Sequence, residues 1–138
     1  MRQFVFAAIA AFLAGLSPAS AQNDLNSNVE TSARSIYASC ARMSARSGMN
    51  DVRAACACIT GYMGGALNDH DYEVAAVLLR VGEMAETGAS QTAIEAEIMA
   101  FFERGFTEAD VNRVTGLVQQ MGVRGDVVCG QFEPRGSV

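Results

Sequence analysis

Four cysteines, Cys40, Cys56, Cys58 and Cys129, constrain this chain more than any other feature. What they can do depends on the segment in front of them. Met1-Arg2-Gln3 carries one positive charge, and Phe4 to Leu16 is uncharged and mostly apolar. Ser17-Pro18 interrupts that run, and Ala19-Ser20-Ala21 places small residues three and one before a cut. This layout predicts a secretory signal peptide over residues 1–21, cleaved after Ala21. The run is too short for a membrane span of about 20 residues, so no membrane span is expected after cleavage. The expected location is the periplasm. In an oxidising compartment an even number of cysteines reads first as disulfides.

Four cysteines allow three connectivities, and helix geometry ranks them. Cys56 and Cys58 stand two apart on one predicted helix and diverge by about 200°, so they do not join each other. Cys40 and Cys56 lie symmetrically about Gly48, the predicted turn of a helical hairpin. The favoured pairs are therefore Cys40–Cys56 and Cys58–Cys129. The runner-up is Cys40–Cys58 with Cys56–Cys129. A different chemistry is a soft-metal or redox site on the Cys-x-Cys pair, where two thiolates could hold Cu(I) with help from methionine or His70. The methionines are scattered over several predicted helices, where they serve as ordinary core filler. No metal or cofactor is expected.

Helical periodicity recurs through the rest of the chain and no strand alternation competes with it. The expected fold is all-α, a bundle of about five helices in one domain, residues 22–138, stapled by two disulfides. Val29, Ala33, Ile36, Cys40 and Met43 mark one helix over 28–46. A second starts at Asn50 or Asp51 and runs to about Leu67, with Val52, Cys56, Ile59 and Met63 inward. Its other side, Ala54, Ala57, Cys58, Gly61, Gly64 and Gly65, is small, and no charge appears from Ala54 to Asn68. A helix without a polar face reads as buried all round, so this one is expected at the centre, with another segment lying on its small face. A ligand groove is the functional alternative for that face.

A third helix begins near Asp69–Asp71 and ends before Gly88. Val74, Val77, Leu78, Val81 and Ala85 face inward, while Glu73, Arg80, Glu83 and Glu86 mark its wet side. Tyr72 and Leu79 point roughly to that wet side and are candidate partner contacts. A fourth helix is capped by Ser90 or Thr92 and stops at Gly105. A fifth opens with Thr107-Glu108-Ala109-Asp110, close to a capping box. Gly122 and Gly125 are expected to break it before a last turn or two over 126–132 delivers Cys129. Residues 22–27 and 133–138 read as loose ends.

Catalytic parts are scarce. His70 is the one histidine, set in the acidic run Asn68 to Glu73, which reads as a helix-start loop. The run fails as a calcium loop because Val74 and Arg80 stand where a glycine and a closing glutamate are needed. No serine elbow, phosphate loop or dinucleotide fingerprint is present. A net charge of −5, with no lysine and no basic tract, argues against nucleic acid. The function expected is non-catalytic: an exported protein acting through binding, assembly or chaperone-like protection of another exported protein.

Overall fold

The computed structural model describes residues 19–46 and 51–132, with side chains from Asn28 onward except those of Asp126 and Phe132. Residues 1–18, 47–50 and 133–138, on which most of the expected signal peptide, the expected turn at Gly48 and the expected loose C-terminal end fall, lie outside the described residues. Among the described residues five α-helices follow one another: α1 (Ala19–Ser44), α2 (Val52–Ala66), α3 (Asp69–Glu86), α4 (Gln91–Glu103) and α5 (Glu108–Cys129). A single 3₁₀ turn, Gly130–Phe132, closes the described chain.

The caps are those the local sequence calls for. The Asp51, Asn68 and Ser90 side chains accept from the backbone N–H three residues on, satisfying orphan donors at the starts of α2, α3 and α4. Thr107 and Asp110 cap α5 reciprocally: the Asp110 N–H donates to the Thr107 hydroxyl oxygen, and the Thr107 N–H to the Asp110 carboxylate. At the far end of α3, Gly88 takes a φ of +75°, and Gly105 does the same after α4 at +90°. Only glycine enters that region without strain, and there the Ala89 N–H can donate back to the Met84 carbonyl.

Both favoured bridges are present. Cys40 joins Cys56 with Cα atoms 5.6 Å apart, and Cys58 joins Cys129 at 5.8 Å. The first ties α1 to α2 across the hairpin, and the second ties the end of α5 to α2.

The centre of the bundle is α3, not α2. It packs against α1, α2, α4 and α5. Residues 71 to 77 include an unbroken buried run from Val74 to Val77, and Tyr72 joins it. More than one side of this helix is covered. Ile36, Met63, Leu67, Phe101, Phe106 and Val114 complete the core around it. The small side of α2 is open instead: Ala57, Gly61, Gly64 and Gly65 are exposed, and a Cβ added at Gly61 or Gly65 would touch nothing. Lack of charge does not imply burial, because small side chains offer little apolar area to gain.

Two further expectations are corrected. Gly122 and Gly125 do not break α5, which runs on to Cys129. Each interior glycine costs only about 1 kcal/mol of helix propensity, less than packing and the Cys58 link can supply. At the other end, α1 begins at Ala19, so residues 22–27 continue the helix. They carry no apolar stripe, but nothing from Ala19 to Ser44 is proline or glycine, and extending an existing helix is cheap.

Candidate functional site: an apolar cavity

Four helices leave a cavity of about 300 Å³ between them. The second half of α1 lines it with Ile36, Cys40, Met43 and Ser44. Ala55, Ile59, Tyr62 and Met63 come from α2, and Leu79 from α3. The last turns of α5 add Val118, Met121, Gly122, Gly125 and Cys129. Ile36, Cys40, Met43, Ile59 and Met63 belong to the inward stripes of α1 and α2, whereas Leu79 comes from the side of α3 expected to be wet. Ser44, Ala55, Gly122 and Gly125 are the small residues of this wall.

Among the described residues no charged side chain stands in the wall. Ser44 and Tyr62 bring the hydroxyls, and the Ser44 Oγ lies 3.8 Å from the sulfurs of both Cys40 and Cys56. Each disulfide contributes one cysteine to the lining, so the bridges also hold the walls in place. Met43, Met63 and Met121 converge from three helices. The sequence reading scattered them, because stripes on separate helices do not say which of them will face one another. Methionine is flexible and polarisable, which suits a wall that adapts to its contents.

The buried carboxylates of the bundle, Glu83 and Asp71, are engaged elsewhere. Glu83 is 6% exposed, contrary to the wet side expected for it. The Arg42 guanidinium meets it with two bonds of 2.7 Å, and the Ser39 hydroxyl donates from 3.4 Å. Hydrogen bonding to Arg42 holds the Glu83 carboxyl below its usual range, against the opposing effect of burial. Asp71, also buried, receives Arg113 at 2.6 Å. Arg113 reaches Asp110 at 2.8 Å as well. The Thr107 hydroxyl and N–H, followed by Arg113 and His70, hold the Asp110 carboxyl well below the carboxylate range.

His70 Nε2 stands 3.2 Å from Asp110 with the imidazole half exposed, and its ring lies against Phe106 at 5.2 Å. This network joins the starts of α3 and α5, and Asp110 is committed to a cap and an ion pair. Among the described residues no group of three or more His, Cys, Asp or Glu side chains could hold a metal ion. The Cys-x-Cys sulfurs are both in bridges.

A second, polar groove of about 350 Å³ runs between α1, α3 and α4. Its arginines are matched within it, Arg80 with Glu97 at 3.2 Å and Arg104 with Glu73 at 2.8 Å.

The proposed partner contacts turn inward. Tyr72 is 3% exposed and donates its hydroxyl to the Thr60 carbonyl at 3.2 Å. Leu79 is half-buried and forms part of the cavity wall. Both were assigned to an outer face, but α3 is enclosed by four neighbours and that side packs too. Exposed apolar side chains stand on α4 instead, at Ile98, Met99 and Phe102, and near the end of α5, at Val123, Val127 and Val128. Comparison with family models, with curated proteins and with solved structures finds no match to this chain.

Proposed function

We propose that this protein is exported to the periplasm, loses its leader after Ala21, and works there by binding, without catalysis. The observation that carries the reading is the cavity: an uncharged, methionine-bearing space held open inside a cross-linked bundle. Its chemistry is that of a receptor for an apolar group. Export is supported by the two disulfides, which persist in oxidising compartments. Among the described residues no helix is long and apolar enough to cross a membrane.

The neutral fluorophore N-phenyl-1-naphthylamine tests the cavity directly. Its emission is expected to rise and saturate with the oxidised protein. Ile59→Asp, which sets a carboxylate in the wall, is expected to cut the affinity at least tenfold. Absence of a saturable rise counts against the cavity as a binding site.

The partner we infer is another exported protein, met through the outer face of α4. Ile98, Met99 and Phe102 are exposed there, Met99 at 59%. A photo-crosslinking residue at position 99 is expected to give one defined protein adduct in the periplasm, and Phe102→Glu to abolish it. A crosslinking pattern unchanged by Phe102→Glu removes this face from the reading.

A further inference from the structure

We propose that the cavity takes one small, uncharged, apolar molecule, and that Gly122 and Gly125 set the room available to it. This rests on the reading of the cavity as a binding site and specifies its ligand. The volume, about 300 Å³, is roughly twice the ~150 Å³ of an engineered apolar cavity that holds benzene. It lies at the lower end of natural ligand pockets. A single ring with substituents, or a short alkyl chain, matches that size. A carboxylate or ammonium group carried inside would lose its water and find no opposite charge among the described residues of the wall, so the ligand is neutral. One hydroxyl or carbonyl on it could be met by Tyr62.

The glycines supply the independent argument. Both lie within α5, where each costs about 1 kcal/mol relative to alanine. The usual compensation is another segment approaching too closely for a Cβ. That is missing here: a Cβ at Gly122 would meet nothing within 4 Å, and one at Gly125 only the Tyr62 ring, at 4.0 Å. Neither position takes a left-handed backbone, since among the described residues positive φ occurs only at Gly88 and Gly105. Gly61, Gly65, Gly82 and Gly116 are equally uncrowded within their helices, and what sets Gly122 and Gly125 apart from them is a place in the cavity wall. Side chains here would stabilise the helix and occupy the space. Their absence leaves the cavity its volume at a cost in stability, as expected where function and stability oppose each other.

Calorimetric titration of the oxidised protein with octan-1-ol and with octanoate tests the ligand class, and Gly122→Leu tests the room. Octan-1-ol is expected to bind one to one, and octanoate at least tenfold more weakly. Gly122→Leu is expected to raise the thermal midpoint while weakening octan-1-ol at least tenfold. If that variant does not fold, Gly122→Ala is read in its place, with a higher midpoint and an affinity several-fold lower. A lower midpoint in Gly122→Ala, or unchanged affinity in Gly122→Leu, overturns the role of the glycine. Octanoate binding as tightly as octan-1-ol overturns the neutral ligand, as does silver(I) bound stoichiometrically with shifted methionine methyl resonances. If the naphthylamine binds and octan-1-ol does not, this inference falls and the broader reading stands; if neither binds, both fall.

Discussion

Separate removal of the two bridges is expected to destabilise the protein unequally, with the long-range link costing more. Cys58 and Cys129 are 71 residues apart in sequence, and Cys40 and Cys56 are 16 apart. Loop-closure entropy in the unfolded chain then assigns about 4.4 kcal/mol to the first and about 3 kcal/mol to the second. For a domain of this size that corresponds to a midpoint lower by roughly 15 °C in Cys58→Ser/Cys129→Ser and by roughly 10 °C in Cys40→Ser/Cys56→Ser. Reduction of both is expected to unfold most of the protein at 37 °C, because typical domains have only about 5–15 kcal/mol in total. Far-ultraviolet circular dichroism with and without dithiothreitol measures all three. A reduced protein that melts within a few degrees of the oxidised one would show that the bundle stands without its staples. Cys56 is fully buried, whereas Cys58 is partly exposed. Limiting reductant should therefore open Cys58–Cys129 first.

The second large effect concerns Glu83. Arg42→Ala is expected to lose about 2 kcal/mol at pH 7. Breaking a fully buried pair costs about 3–5 kcal/mol, and the half-exposed Arg42 side chain calls for a discount because water reaches it. Glu83→Gln is expected to cost less, since the arginine left behind can be solvated. The pH dependence separates this charge effect from lost packing. In the wild type the Glu83 carboxyl is held below its usual range. Its contribution is thus complete above the unfolded value, about 4.3, and is lost as pH falls through the lower folded value. Without Arg42, burial raises the same carboxyl, and protonation relieves the variant on acidification. The stability gap between wild type and Arg42→Ala should therefore narrow as pH falls from 7 through 5 and below. A gap that stays constant over that range would assign the loss to the arginine's methylenes. Denaturant melts at each pH supply the comparison.

Much of the helical framework was legible in the residues. Asp51, Asn68, Ser90 and Thr107 are N-cap types at the places where helices start, and Gly88 and Gly105 mark two of the ends. The disulfide pairing was legible as well, because residues two apart on a helix must serve different partners. The choice of central helix was not. On α3, buried carboxylates met by arginines from α1 and α5 look in sequence like a solvated face, and only the crossing of those helices shows otherwise. Tyr72, expected on the same outer side, is buried for the same reason.

The sequence by itself determined where α2, α3 and α4 begin and end and where α5 begins, which face of most helices is apolar, and that its cysteines would be spent on cross-links. Those properties follow from neighbours a few residues apart, whose spacing along a helix is known in advance. Only the tertiary structure decided that α3 is the hub, that three methionines share one space, and that two glycines of α5 line it. A cavity is a mismatch of volumes between surfaces brought together from distant parts of the chain, and no local pattern encodes that mismatch.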